Sequence, residues 1–142
     1  MIDLNYSLRV AYYTALQAAG VPVYYQNLPP NLNPDNYILF RSINNSDAST
    51  KGTSDTSTTI TVEIHTKTDQ VNRGLSADTI ANDVLDAIYP NKTDNLAITG
   101  GQILSTELVT DVVQDFQLNA NEAYISRYLT FKHIIYQSSD IS

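Results

Sequence analysis

The segment TITVEIHT, residues 59–66, alternates apolar and polar side chains along its whole length. An alternation with period two is typical of a β-strand that has one buried face and one open face. The buried face would carry Ile60, Val62 and Ile64, and the open face Thr61, Glu63 and His65. The chain therefore needs a cover for one side of its sheet only.

Two amphipathic segments are suited to provide that cover. Residues 3–19 carry apolar side chains at the spacing of one helix face, with Asp3 as a candidate N-cap. Gly20 can adopt the left-handed conformation that ends such a helix. The segment LSADTIANDVLDAIYP has Ser76 as its N-cap and is stopped by Pro90. We predict that both helices pack on the same face of the sheet.

Four further segments have the character of strands. They are VYYQNL after Pro22, YILFRSI from Tyr37, ILSTELV after Gly100–Gly101, and AYISRYLTFKHIIY from Ala123. The first is restricted to an edge or a strand start by its proline, and the connection PPNLNPDN that follows is stiff and not helical. The order α-β-β-β-α-β-β predicts a single α+β domain over residues 1–142. We expect an antiparallel sheet of about four to five strands with two helices packed on one face.

The middle of the chain is rich in hydroxyl side chains. Nine of the fourteen residues from Ser46 to Thr59 are Ser or Thr. This composition buries too little apolar area to order itself, so we predict a mobile loop over about residues 44–58. The C-terminal QSSDIS, about residues 137–142, is predicted to be frayed.

Charge and composition narrow the classes of function. The formal net charge is −7, from fifteen acidic and eight basic residues, which argues against a protein that grips nucleic acid through a basic patch. The absence of cysteine excludes disulfides, thiolate metal sites and Cys nucleophiles. The start MIDLNYSLRV lacks the features of a signal peptide, and no run approaches the roughly 18 apolar residues that span a bilayer. We expect a soluble protein that works inside a cell.

Few residues are arranged for chemistry. Glu63 and His65 share one strand face, as a general base or part of a metal site requires, but we interpret them as polar residues on the wet face of a strand. His133 is interpreted as a half-buried sheet histidine. Three acidic residues spaced by four are interpreted as a solvated rim on one face of an extended segment: Glu107, Asp111 and Asp115. With no phosphate-binding glycine loop and no nucleophile elbow, we predict no catalytic, cofactor or metal site and no enzymatic activity.

Several short motifs occur in the order typical of one family. VPVY at residues 21–24 follows the first helix, and NYILF at residues 36–40 follows the proline-containing turn. Residues 59–64 match a TxxVxI strand, residues 77–84 match an AxxIAxxV helix preceded by Gly74, and residues 127–131 match a closing RYLTF strand. In this order the chain resembles the tail terminator or tail completion proteins of tailed bacteriophages, and the minor tail proteins similar to them. It departs from their pattern in its longer Ser/Thr-rich segment and in Phe40-Arg41, where a glycine commonly ends the strand.

The resemblance implies a structural virion protein that assembles as a ring, typically a hexamer, at the head-proximal end of the tail. Such a ring is assembled in the host cytoplasm, caps the tail tube and joins it to the head or neck. Its implied partners are copies of itself, tail-tube and head or neck proteins, and DNA that passes through the lumen without specific binding. No cofactor and no membrane is implied. Candidate interface residues are Tyr24, Tyr25, Arg41, Lys51, Asp55, Tyr124 and Tyr128.

Two alternatives remain open at this point. One is another ring of the virion neck, such as an adaptor or stopper, which touches the portal side and not the tail tube. The other is a small cellular enzyme or ligand-binding domain that uses the open sheet face. The hypothesis of a cellular enzyme or ligand-binding domain predicts a monomer or dimer with a pocket near His65 or His133.

Overall fold

The computed structural model describes residues 5–30, 35–47, 55–69, 75–88, 96, 98, 101–117 and 122–137. Within them, two helices and five strands follow one another in the order α-β-β-β-α-β-β. The elements are α1 (Asn5–Leu16) with a 3-10 turn (Gln17–Ala19), β1 (Val23–Tyr25), β2 (Asn36–Asp47), β3 (Asp55–Asp69), α2 (Leu75–Ile88), β4 (Gly101–Gln117) and β5 (Glu122–Gln137). The predicted α+β class and order of elements are confirmed.

The strands form one sheet in the spatial order β1-β2-β3-β5-β4. Strands β2, β3, β5 and β4 pair antiparallel, whereas β1 and β2 are parallel. The sheet is therefore mostly antiparallel, as predicted, and mixed because of one short parallel pair. Strand β1 lies at an edge, which suits the preceding Pro22 because proline has no N–H to donate to a second neighbour.

The proline-rich connection between β1 and β2 is long because the two strands point the same way. A parallel pair requires the chain to return along the first strand before it can pair, which a two-residue hairpin cannot do. Gln26, with φ of 69°, turns the chain away from β1, and its N–H donates to the carbonyl of Phe40 at 2.9 Å. At the other end, the N–H of Lys67 donates to the carbonyl of Asp35 at 3.0 Å. The two described ends of the connection are thus fastened to β2 and β3.

Both helices pack on one face of the sheet and form its core there. The buried side chains of α1 are Leu8, Tyr12 and Leu16, and those of α2 are Ala77, Ile80, Ala81, Val84 and Ile88. They cover the alternating apolar residues of the sheet, including Ile60, Val62 and Ile64, as the period-two pattern predicts. Gly20 ends the first helix as predicted, with φ of 74° and its N–H bonded to the carbonyl of Gln17 at 3.1 Å. Asp3, Pro90 and the side chain of Ser76 lie outside the described residues.

The two ends of the Ser/Thr-rich segment belong to two strands that pair with each other. Strand β2 continues to Asp47 and β3 begins at Asp55, and residues 44–47 pair with residues 56–59. The prediction of a loop over residues 44–58 is therefore wrong for residues 44–47 and 55–58. Strand β3 also pairs with β5 here, so its backbone is bonded on both sides, and threonine suits a pleated strand. Residues 48–54 and 138–142 lie outside the described residues.

Strand β4 shifts its register against β5 at two places, between Ile103 and Ser105 and between Leu108 and Thr110. The second shift changes the face on which the following side chains lie. An extra residue reverses the alternation that follows it. Asp111 and Asp115 therefore lie on the helix side of the sheet, whereas Glu107 lies on the opposite side. The prediction that these three acidic residues share one face is wrong for this reason.

Candidate functional site

The sheet face opposite the helices is lined by tyrosines. Three of them surround the imidazole of His65 on β3: Tyr37 on β2, and Tyr124 and Tyr128 on β5. Together with Tyr24 on β1, which packs against Tyr37, they are called the tyrosine cluster. The His65 ring centroid lies 4.8 Å from that of Tyr37, 5.8 Å from that of Tyr124 and 6.1 Å from that of Tyr128. The rings of Tyr24 and Tyr37 lie 6.3 Å apart. Strand register creates the cluster, because His65 stands directly opposite Tyr37 and diagonally between the two tyrosines of β5.

A chain of hydrogen bonds, called the polar network, runs through Arg41, Glu63, His65 and Ser126 beneath the tyrosine cluster. The guanidinium of Arg41 donates to both carboxylate oxygens of Glu63, at 2.6 and 2.9 Å. Nε2 of His65 lies 2.9 Å from Oε1 of Glu63, and its Nδ1 lies 2.8 Å from Oγ of Ser126. A carboxylate only accepts, so Nε2 donates its proton to Glu63, and in that tautomer Nδ1 accepts from the hydroxyl of Ser126. Every member is therefore bonded.

The polar network is buried. Glu63 and His65 are only 7 % and 8 % exposed. Burial favours a raised pKa for Glu63, but hydrogen bonds from His65 and Arg41 outweigh it and lower this pKa. The hydrogen bond to Glu63 also raises the pKa of Arg41. The interpretation of Glu63 and His65 as residues on a wet strand face is wrong, because tyrosines from the neighbouring strands cover them.

The hydroxyl groups above the network are also fixed. The hydroxyls of Tyr37 and Tyr124 lie 3.1 Å apart and share a hydrogen bond. Burial and this hydrogen bond raise the pKa of Tyr124, so its hydroxyl stays protonated and available as a donor or acceptor. The side chain of Arg41 is 42 % exposed at the rim. The face thus presents rigid aromatic rings, hydroxyl groups and the guanidinium of Arg41. Tyrosine and arginine are enriched among the residues that contribute most of the binding energy at protein interfaces.

The arrangement suits binding better than catalysis. Glu63 and His65 spend their hydrogen-bonding capacity on each other, on Arg41 and on Ser126. In the parts of the chain that the structure describes, no group of three or more His, Cys, Asp or Glu residues is placed to hold a metal ion. No helix within those parts has the length and apolar character to cross a membrane.

The structure brings four of the seven candidate interface residues together. Tyr24, Arg41, Tyr124 and Tyr128 all lie on the face opposite the helices. Tyr25 lies on the helix side, where its ring is 5.1 Å from that of Phe40.

The remaining two candidates do not join them. Asp55 stands at the start of β3, opposite Tyr136, whereas Tyr128 stands opposite Glu63 in the same ladder. Eight residues of β-strand separate these positions by roughly 27 Å. Lys51 lies outside the described residues.

Sequence reasoning missed Tyr37, Ser126 and the coupling of Glu63 to Arg41. Each residue sits on a separate strand from its partner, and only strand register brings them together. A usable signal was present in the even-numbered tyrosines of β5, because residues of equal parity share a face. That signal identifies the face but not the partners across it.

The second histidine lies on the helix side. His133 is fully buried between the hydroxyl of Tyr12, which bonds its Nε2, and Oγ1 of Thr106, which lies 3.0 Å from its Nδ1. Burial lowers the pKa of His133 to about 4. The prediction of a half-buried histidine is wrong, because α1 places Tyr12 directly against the ring. His133 is a structural residue of the core.

Comparison with known proteins yields a likeness of fold. No protein-family model matches the sequence, and no curated protein matches it. The fold matches that of a chain in a solved structure described as "Virion of native gene transfer agent (GTA) particle", with a TM-score of 0.70 and 18 % sequence identity. The match covers 96 % of this chain and 99 % of that chain. The two chains thus share one fold over nearly their full lengths.

Proposed function

We propose that the chain is a structural virion protein of a tailed bacteriophage, a ring subunit of the tail terminator or tail completion type. The observation that carries this proposal is the fold shared, end to end, with a chain of a virion particle. The order of motifs that resembles the tail terminator family supports the same class. The ring caps the tail tube and joins it to the head or neck.

The tyrosine cluster and Arg41 supply a docking surface for the next component of the tail. Tyrosine and arginine contribute large contact areas and oriented hydrogen bonds, and interfaces derive most of their binding energy from such residues. The polar network holds Arg41 through two hydrogen bonds to a buried carboxylate, so little side-chain freedom remains to be lost on binding. The partner is a protein of the tail tube, the head or the neck.

The charge of the chain suits a channel for DNA. With a net charge of −7, the surface repels phosphate groups. Acidic residues that line the lumen of the ring let DNA pass without specific binding. The chain has no enzymatic role in this proposal.

A neck ring of the adaptor or stopper type has the same needs and is the second candidate. The two differ in their partner, since a terminator binds the tail tube and a neck ring binds the portal side. A small cellular ligand-binding domain is the third candidate, and it predicts a monomer or dimer that retains a small molecule. The internal bonding of both histidines does not favour it.

The first experiment measures the mass of the purified chain by multi-angle light scattering across a concentration series. A closed ring of six 15.7-kDa copies has a mass of about 94 kDa and supports the proposal. A dimer with a co-purified small molecule favours the cellular ligand-binding domain.

The second experiment measures binding to tail tubes and to portal rings, each assembled from purified protein of the same phage. We expect binding to tail tubes to weaken at least tenfold in the double variant Tyr124→Ala/Tyr128→Ala. Tyr136→Ala is the matched control, because Tyr136 lies on the same strand and face, 40 % exposed, outside the tyrosine cluster. Binding to the portal ring alone selects the neck ring, and binding to neither overturns the proposal.

A further inference from the structure

The surface of the tyrosine cluster continues onto β4. Val112 stands opposite Tyr128 in the ladder between β4 and β5, and Phe116 stands opposite Tyr124. Residues that stand directly opposite each other share a face, so both apolar side chains lie on the side of the sheet away from the helices. They are 48 % and 57 % exposed. Val112 and Phe116 are called the apolar end of the cluster.

A row of three residues leads from the apolar end to Arg41. Glu63 stands opposite Tyr128, and Tyr128 stands opposite Val112, so the row crosses β3, β5 and β4. Two spacings between neighbouring strands separate the ends of the row by roughly 10 Å. The guanidinium of Arg41 is bonded to Glu63 at one end. A cation and an exposed apolar patch thus lie on either side of Tyr128.

The guanidinium of Arg41 keeps hydrogen-bonding capacity for a partner. Its Nε and one N–H of Nη2 donate to Glu63, which leaves the N–H groups of Nη1 and the second N–H of Nη2. These remaining groups have no acceptor among the residues that the structure describes, and they are called the outer N–H pair. Glu63 also accepts a hydrogen bond from His65, so its negative charge is not spent on Arg41 alone.

A carboxylate is the acceptor that fits the outer N–H pair. Its two oxygens accept parallel hydrogen bonds from one edge of a guanidinium. A partner that covered Arg41 without an acceptor would leave these N–H groups unpaired and away from water, which weakens binding. The net charge of −7 repels the phosphates of a nucleic acid, and the apolar end offers them nothing to bind. The surface therefore suits a protein that presents a carboxylate beside apolar side chains.

We propose that one acidic residue of the tail-tube protein docks at this place. Its carboxylate accepts two hydrogen bonds from the outer N–H pair of Arg41, and the apolar side chains around it pack on Tyr128 and the apolar end. This inference rests on the proposed function, because it names the chemistry by which the ring recognises the tube. Glu63 holds the guanidinium in place before the partner arrives, so little freedom is lost on docking.

The first test measures the Kd of variants for tail tubes assembled from purified tube protein. Arg41→Ala removes the outer N–H pair and should raise the Kd roughly tenfold or more. Arg41→Lys keeps the charge but cannot donate a planar pair, so its Kd should be close to that of Arg41→Ala. Lys132→Ala is the matched control, because Lys132 stands opposite Glu107 on the same face, outside the tyrosine cluster. It should change the Kd by less than about twofold.

The apolar end has a control on its own strand. Val112→Ser should raise the Kd by about threefold or more, because it removes an apolar contact beside Tyr128. Val113 is 57 % exposed and stands opposite Arg127, on the helix side of the sheet. Val113→Ser therefore removes the same side chain from the other face and should leave the Kd unchanged. Urea denaturation of each variant verifies that it is folded where binding is measured.

The second test locates the carboxylate. The exposed Asp and Glu residues of the tube protein are replaced one at a time by Asn or Gln, and each variant tube is offered to the wild-type chain and to Arg41→Ala. We expect one replacement to weaken binding of the wild type roughly tenfold and to have almost no effect on Arg41→Ala. Such non-additivity identifies two groups that contact each other.

Other outcomes overturn the inference and leave the proposed function distinguishable. Equal binding of the wild type and Arg41→Ala to tubes would show that Arg41 makes no contact, although the proposed function would stand. Wild-type binding by Arg41→Lys, or the lack of any tube replacement coupled to Arg41, would refute the paired hydrogen bonds to a carboxylate. Rings that dissociate in Arg41→Ala would assign the carboxylate to a second copy of this chain. A wild-type chain that does not bind tubes would contradict the terminator role itself.

Discussion

Each face of the sheet has side chains that are shielded from water, but by different means. On the helix side, apolar residues such as Ile64 and Phe131 are covered by α1 and α2. On the opposite side, Glu63 and His65 are covered by tyrosines of the neighbouring strands. The first arrangement stabilises the fold by removing apolar area from water. The second holds polar groups in fixed positions at a surface, which is what a binding site needs.

The largest effect should come from truncating the helix-side core. Phe131 is fully buried and lies edge-on to Tyr12, with ring centroids 6.5 Å apart. Phe131→Ala should lower the free energy of unfolding by about 3–5 kcal/mol, because it leaves a cavity. Tyr128→Ala, on the opposite face, should cost only about 1 kcal/mol. Urea denaturation measures both, and equal losses would mean that the tyrosine cluster is a second core.

The second-largest effect should come from acid, which lowers the free energy of unfolding through His133 on the helix side. The pKa of His133 falls from 6.5 in the unfolded chain to about 4 in the fold. Between these values the unfolded state binds a proton that the folded state does not, so stability is complete above about pH 6.5 and falls as the pH decreases to about 4. The loss amounts to about 3 kcal/mol.

Urea denaturation across this pH range measures that loss. His133→Gln, which bonds Tyr12 and Thr106 but does not titrate, should show a correspondingly smaller decrease. The carboxylates are the same in both proteins, so their titration cancels in the comparison. Parallel pH profiles for the two proteins would refute a buried neutral His133.

The polar network should contribute less to the free energy of unfolding than Phe131 or the neutral His133. Glu63→Gln removes the charge that two hydrogen bonds from Arg41 and one from His65 share, and it should cost about 2 kcal/mol in urea denaturation. Arg41 is partly exposed and regains water, so the loss stays below that of a fully buried ion pair. Glu107→Gln, at an exposed position on the same face, is the control and should change stability by less than about 0.5 kcal/mol. A similar value for both variants would show that the network carries no stability.

The helix side could be predicted from the sequence, because its cause is local. The alternation of Ile60, Val62 and Ile64 and the helical spacing in α1 and α2 each lie within one segment. Periodicity therefore predicts which residues are buried, and the order of segments predicts the class of fold. Gly20 ends its helix through its own backbone conformation, so that position was predictable too.

The tyrosine face could not be predicted to the same depth, because its cause is register. Tyr37, His65 and Tyr124 come from three strands far apart in the chain, and no local pattern states which residues stand opposite one another. The same limit hid the register shift between Leu108 and Thr110, because it is defined by the pairing of β4 with β5 and not by either strand alone. The parallel pairing of β1 with β2 was also not predictable, because it depends on the path of the connection between the two strands.

The smallest effect should come from the hydroxyl pair above the network. Tyr124→Phe removes one partner of the hydrogen bond between Tyr37 and Tyr124 and leaves both rings in place. Because the pair is only partly buried, the hydroxyl of Tyr37 can bond to water, and urea denaturation should show a loss of about 0.5–1 kcal/mol. Tyr13→Phe, on the outer side of α1, is the matched control and should change stability by less than about 0.5 kcal/mol. A loss above about 2 kcal/mol for Tyr124→Phe would mean that this hydroxyl is sealed from water, and the face would then be a second interior of the protein and not a surface prepared for a partner.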